Sequence, residues 1–123
     1  MKLHLTTAER QNLITAYNSE SIAINHQPYT SNLVVMPETL VLDWPPASVE
    51  TVTPEDFLRL AKLSPEVVLL GTGKTHRFVH PKLFRALTEQ GIPLECMTTA
   101  AACRTYNILM AEGRNVAAAL ILE

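Results

Sequence analysis

Cysteine and glycine are scarce in this chain, at 2 and 4 of 123 residues. Two cysteines, Cys96 and Cys103, are too few for the framework of a disulfide-stapled secreted domain. So little glycine excludes collagen-like repeats and flexible low-complexity sequence. No Asn-x-Ser/Thr glycan acceptor is present. An excess of one charge is also missing: 10 basic and 12 acidic residues leave a formal net charge of -2. That disfavours a globally basic nucleic-acid binder, although a local basic patch is compatible with it. Long apolar runs are absent too. The longest, Val116 to Leu122, falls far short of the ~20 residues a membrane-spanning helix requires. Met1 to Thr7 has no sustained apolar region and gives way to polar Glu9, Arg10, Gln11 and Asn12. No signal peptide is therefore expected, nor any membrane insertion, and a reducing cytoplasmic location is the default.

What is present suits one folded domain over residues 1–123. Hydrophobic residues make up 47% of the chain and charged residues 18%. A chain of this length buries roughly two-thirds of its unfolded surface, enough for a core without metals or disulfides. No repeat or linker divides it.

The first half reads as short strands. Leu13–Tyr17, Ser21–Asn25, Leu33–Met36 and Leu40–Asp43 are apolar or alternating pieces. Asn18-Ser19-Glu20, His26-Gln27-Pro28, Ser31-Asn32 and Pro37-Glu38 separate them as turn candidates. Such spacing predicts antiparallel hairpins. Trp44-Pro45-Pro46 ends the last run, because proline cannot donate to a strand ladder.

The second half alternates helix and strand. Thr53 is an N-cap candidate, Pro54 suits the first helical position, and Glu55 and Asp56 favour the positive helix end. Phe57, Leu60 and Ala61 form the apolar stripe, and Leu63-Ser64-Pro65 ends it. Val67–Leu70 is continuously apolar, as a strand covered on both faces would be. Pro81 begins a second helix with Leu83, Phe84 and Leu87 inward and Gly91 as its stop. Ile92–Met97 is a strand. Thr98 or Thr99 caps a third helix reaching Glu112 and stopped by Gly113, and Val116–Leu122 is a last strand. The order predicts an α/β fold: N-terminal antiparallel strands joined to a C-terminal parallel βαβαβ section with right-handed crossovers.

Candidate chemistry begins at Gly71-Thr72-Gly73-Lys74-Thr75. It resembles the end of a phosphate-binding loop, but Val68 stands where the first glycine of that pattern belongs. Leu40-Val41-Leu42-Asp43 is a poor Walker B partner, since it lies upstream in the antiparallel half. The dinucleotide pattern fails as well, with His76 in place of the third glycine. Two readings stay open: a tight strand-exit turn using glycine's freedom at positive φ, or a ligand loop beyond the carboxyl ends of the strands.

Charge around this loop is uneven. Val67 to Thr88 holds no acid but carries Lys74, Arg77, Lys82, Arg85, His76 and His80; Glu38 to Glu66 holds six acids against Arg59 and Lys62. The basic segment suits an anion or an acidic partner surface. Phe78 and Phe84 interleave it. Phe84 falls on the apolar stripe of its helix, so core packing explains it better than nucleic acid does, and no nucleic-acid partner is expected.

The third helix is the most specific feature. Ala100, Cys103, Arg104 and Asn107 share one stripe at i, i+3, i+4, i+7 spacing, just beyond a helix N-terminus that favours anions. The stripe either lines a small pocket or packs helix against sheet, with Arg104 satisfying a carboxylate such as Glu112. Cys103 lacks an identified base; a buried, inert thiol is the expectation, and Cys96 in a core strand is more inert still. Two cysteines with scattered His4, His26, His76 and His80 make no zinc set, and Glu55 and Asp56 face different ways on their helix, so they are no paired acid and base. No metal or cofactor is expected.

The run from Met97 to Leu109, with Cys103-Arg104-Thr105-Tyr106-Asn107 at its centre, and then Glu112 to Leu120, resembles the signature of one family. Leu70-Gly71-Thr72-Gly73, Tyr29, Pro37 and Trp44 match it as well. The family comprises small bacterial and archaeal proteins of unknown function, the mitochondrial assembly factor of respiratory complex I, and the adipogenesis-associated domain protein of animals. The resemblance implies a single three-layer β+β/α domain. It implies no reaction. Absence of a mitochondrial targeting extension fits a bacterial member.

Two functions follow. One is a non-enzymatic binding or assembly module presenting the 74–85 segment and the Arg104 end to a protein partner such as a respiratory-complex subunit. The other is a small-anion or nucleotide-type binder, or an enzyme, using Gly71, Thr72, Gly73, Lys74, Thr98, Thr99, Cys103, Arg104 and Asn107. An exposed N-terminal edge strand would also permit a homodimer.

Overall fold

The computed structural model describes residues 11–123. The signal-peptide reading and His4 fall on residues 1–10 and lie outside the described residues. Three strands, β1 (Ile14–Asn18), β2 (Ser21–Ile24) and β3 (Gln27–Tyr29), form a small antiparallel sheet in that order. The five-stranded sheet contains β4 (Leu33–Met36), β5 (Thr39–Leu42), β6 (Val67–Gly71), β7 (Leu94–Met97) and β8 (Val116–Leu120), ordered β5-β4-β8-β6-β7. Three α-helices complete the fold among the described residues: α1 (Pro54–Lys62), α2 (Arg85–Glu89) and α3 (Thr99–Ala111).

The chain is an α/β protein, with antiparallel strands first and a parallel βαβαβ section after them. β6 pairs in parallel with β7 on one side and β8 on the other. β8 also pairs antiparallel with β4, Val34 facing Ala119. The last strand thus joins the two halves into one sheet.

Local chemistry explains most boundaries. At α1, Thr53 and Asp56 form a capping box: Asp56 Oδ2 accepts from the Thr53 N–H at 2.9 Å, and Thr53 Oγ1 accepts from the Asp56 N–H at 3.3 Å. Thr98 caps α3 by accepting from the Ala101 N–H at 3.2 Å. Gly91 and Gly113 follow α2 and α3 at φ of 70° and 84°, the left-handed stop that glycine adopts without a Cβ clash.

Two sequence expectations need correction. His26-Gln27-Pro28 is not a turn. The turn is Asn25-His26, both at positive φ (50° and 71°), and Gln27 already pairs with Ile24. Left-handed backbone at both central residues matches the twist of a tight hairpin, and Pro28 is tolerated because β3 is an edge strand. The helix expected from Pro81 is a 3₁₀ turn, Pro81–Phe84, followed by the short α2.

Side chains of the large sheet alternate between two cores. Val34, Val68, Leu70, Ala117 and Ala119 face α1 and α2, where Phe57, Leu60 and Leu87 are buried. Phe84 packs edge-on to Phe57 with ring centres 6.0 Å apart. Leu33, Val35, Val67, Leu69 and Ala118 face the other way, towards α3 and the small sheet. Three layers result: α1 with α2, the large sheet, and α3 with the small sheet. The alanines of β8 let the flanking elements approach closely, and every residue of β6 and β8 is buried.

Candidate functional site

The glycine turn and the third helix meet at the carboxyl ends of β6 and β7. Gly71 ends β6, and a Cβ there would sit 2.9 Å from both Cα and Oγ1 of Thr99. Thr99 is fully buried. Its N–H donates to the Gly73 carbonyl at 3.0 Å, and its Oγ1 accepts from the Gly73 N–H at 2.8 Å. The same hydroxyl donates to the Ile121 carbonyl at 2.7 Å. Thr72 is buried as well. Its N–H donates to the Met97 carbonyl at 2.8 Å, and its Oγ1 lies 2.6 Å from the Thr75 carbonyl while accepting from the Arg77 N–H at 3.2 Å. Gly73 has φ of 94°, and a Cβ on it would meet the Glu123 carboxylate at 2.8 Å. These residues tie β6, β7, β8 and α3 together, and the backbone donors of Thr72 and Gly73 are engaged within the protein. Lys74 stands exposed beside them.

Of the remaining predicted residues, Cys103, Arg104 and Asn107 open onto a cleft of about 250 Å³ between β1 and α3, whereas Thr98 caps the helix and does not line it. Ala100, Cys103, Arg104 and Asn107 form one wall, the four positions that the helical spacing places on a stripe. Ile14 to Tyr17 of β1 form the other. Sequence reasoning missed this second wall, because nothing local in β1 announces which helix it meets.

The cleft's groups differ in how they are held. Asn107 pins β1: its Oδ1 accepts from the Ile14 N–H at 3.0 Å and its Nδ2 donates to the Ile14 carbonyl at 2.8 Å. Cys103 is buried, and that burial pushes its thiol up to about 12 against the opposing pull of Arg104. Burial also raises the Tyr17 phenol, with Cys103 and Glu123 adding to the effect. Both groups therefore stay protonated near neutral pH. Tyr106, fully buried behind them, donates to the Asn12 carbonyl at 2.7 Å and is also raised by burial. Arg104 is exposed and makes no hydrogen bond or ion pair among the described residues. The cleft offers a guanidinium and a neutral phenol.

The basic segment forms a separate surface. Phe78 is 81% exposed, and the ring of His76 lies 4.5 Å from it at 49°. Lys74, Arg77, His80, Lys82 and Arg85 are exposed around it in sequence. Arg77 pairs with Glu50. Phe78 departs from Phe84, which is half-buried in the core; the cue was its place outside any apolar stripe. Among the described residues, no three His, Cys, Asp or Glu side chains gather as a metal site, and no helix is long and apolar enough to cross a membrane.

This architecture defines a small α/β domain with a mixed five-stranded sheet, flanked by helices on one face and by a helix plus a small β-sheet on the other. Residues 14–121 match the family described as "Protein of unknown function (DUF498/DUF598)", and the chain belongs to that family. It is similar to NADH dehydrogenase (ubiquinone) 1 alpha subcomplex assembly factor 3 of Rattus norvegicus, with 36% identity over 110 residues, 88% of this chain and 59% of that protein. The chain thus spans about three-fifths of the length of that relative. A crystal structure of a Bordetella parapertussis protein superposes with a TM-score of 0.86 and 38% identity, covering 92% of this chain and 97% of that one. A solution structure from Bordetella pertussis, described as a Mth938-like domain, gives 0.80 and 32%, covering 90% and 85%.

Proposed function

We propose that the protein is a non-enzymatic binding module that helps assemble a larger complex, in a reducing cytoplasm. The observation that carries this reading is Phe78, 81% exposed in a segment with no acidic residue from Val67 to Thr88. An exposed aromatic ring in a run of exposed basic residues is the composition of an interface anchor: the ring contributes buried area, and the charges steer an acidic partner. Kinship with a complex I assembly factor makes a respiratory-complex subunit the first partner to test. Purified wild type and Phe78→Ser protein would each be used to capture proteins from cell extract at low and high salt. A respiratory subunit retained by wild type at low salt, and lost both with salt and with Phe78→Ser, supports the reading. Identical recovery by the two proteins defeats it.

A second reading rests on Arg104. Its guanidinium, unpaired among the described residues and on a cleft with few other charges, suits a small anion, a phosphate or a carboxylate. A thermal-shift screen against phosphates, nucleotides, carboxylates and flavins tests it. A saturable rise in Tm that disappears in Arg104→Ala places the ligand in the cleft; a rise that persists in the variant puts it elsewhere.

A further inference from the structure

Among the described residues, four strands lie at a sheet edge: β1 and β3 in the small sheet, β5 and β7 in the large one. An open edge offers unpaired N–H and C=O groups to any other strand, and proteins blunt it with proline, charge or a covering group. Three of these edges are blunted. Asn107 takes both backbone groups of Ile14 in β1. β3 contains Pro28. β7 follows Pro93 and carries the exposed Glu95. The fourth, β5, reads Thr39-Leu40-Val41-Leu42 and contains neither proline nor charge. Its Leu42 is 45% exposed.

The register fixes which groups of β5 are open. Pro37-Glu38 is a two-residue turn, so Met36 and Thr39 exchange hydrogen bonds across it. Bonded and non-bonded pairs alternate along an antiparallel ladder. Val34 and Val41 are the next bonded pair, and Leu40 and Leu42 therefore aim their N–H and C=O groups away from β4. Those groups have no hydrogen-bond partner among the described residues.

They complement a second copy of themselves. A two-fold axis at Val41 sets Leu40 of each copy opposite Leu42 of the other. Each such pair exchanges two bonds, so the two pairs make four and leave no outward group unused. Leu42 then lies beside Leu40 of the other copy, on the sheet face where Leu40 packs into the core with Leu33 and Val35. No charged side chain lies between Thr39 and Leu42, so the two-fold brings no like charges together there. We propose that β5 is a homodimer interface: two copies of the chain pair antiparallel through it and join their large sheets into one continuous sheet. Asp43 turns the chain away at φ of 61°, which limits the pairing to Leu40–Leu42. An interface this short makes a weak, concentration-dependent dimer.

Two readouts on the full chain test this together. Sedimentation equilibrium from micromolar to millimolar protein should show monomer passing to dimer. Over the same range, the Leu40 and Leu42 amide protons should move downfield and gain protection from hydrogen exchange. Those of Thr39 and Val41, already bonded to β4, should stay unchanged. Leu42→Lys puts a charge on the edge and should weaken the dimer about ten-fold or more at unchanged Tm. The alternating amide response of the wild type stands alone if the variant fails to fold. Three outcomes overturn the proposal. One is a monomer at every concentration. Another is a dimer whose Leu40 and Leu42 amides do not respond, or one as tight in Leu42→Lys, which places the contact on a different surface. The third is protection of the Leu40 and Leu42 amides in the dilute monomer, which assigns the edge to the chain's own residues 1–10.

Discussion

Asn107 holds Ile14 by both of its backbone polar groups, 93 positions away in the chain, with bonds of 3.0 and 2.8 Å. One side chain thus stands where β1 has no strand neighbour among the described residues and fixes the small sheet against α3. It also sets the width of the cleft, whose two walls are those same elements. Asn107→Ala is predicted to cost about 1–3 kcal/mol, since two half-buried backbone groups lose their partners. Urea denaturation monitored by circular dichroism measures it. An unchanged midpoint would show that β1 is held by apolar packing alone.

Gly71 and Thr99 make a second long-range lock. Any Cβ at Gly71 meets the Thr99 backbone at 2.9 Å, and helix backbone cannot swing aside as a flexible side chain would. Gly71→Ala should therefore destabilise by about 1–3 kcal/mol through overpacking. Thr99→Val keeps the shape but leaves the Gly73 N–H and the Ile121 carbonyl without their hydroxyl. It should cost a similar amount, whereas Thr99→Ser should lose less. Equal Tm values for the Ser and Val variants would refute a hydrogen-bonding role for the hydroxyl.

The Cys103 thiol predicts an alkaline weakness. Its value rises from an ordinary 9.0 to about 12 on folding, chiefly through burial. Above pH 9 the unfolded chain gives up this proton and the folded chain keeps it. The folded state then binds more protons, so stability falls as pH rises through the window from about 9 to about 12. Tyr17 and Tyr106 are raised by burial as well and act in the same direction. Melting curves should fall more steeply with pH for wild type than for Cys103→Ala in that window, and run parallel below it. At pH 8 the native thiol should also resist a disulfide reagent that labels it at once in denaturant. Rapid labelling of Cys103 in the folded Cys96→Ala protein would contradict the burial.

The exposed candidates should behave in the opposite way. Phe78→Ser and Arg104→Ala both alter exposed side chains, and each should shift stability by no more than about 0.5 kcal/mol. Any lost capture or ligand binding then reports on recognition, not on folding. A large loss of Tm in either would mean that the residue supports the fold instead.

Much of the architecture is legible in the residue order. The capping chemistry at Thr53 and Thr98, the apolar run of β6 and the glycines after α2 and α3 act within one turn or one strand. Local sequence is enough to read them. The stripe of Ala100, Cys103, Arg104 and Asn107 is legible for the same reason, because helical spacing alone puts those positions on one face. The β2–β3 turn lies one residue earlier than the His26-Gln27-Pro28 pattern predicts, since Asn25 and His26 both adopt a left-handed backbone that local sequence does not demand of them.

What the sequence determined by itself, then, is which segments are helix and strand, which faces are apolar, and that the strands run first antiparallel and then parallel. Tertiary structure alone decided that β8 lies between β4 and β6, that Asn107 meets Ile14, and that the Thr99 hydroxyl bonds Gly73 and Ile121. It also left the Trp44 nitrogen buried without a partner among the described residues while Phe78 is exposed. Periodicity records which side of an element is buried, through the energy of removing apolar surface from water. Which element arrives to cover that side depends on contacts between residues 22 to 94 positions apart, and no local pattern encodes those.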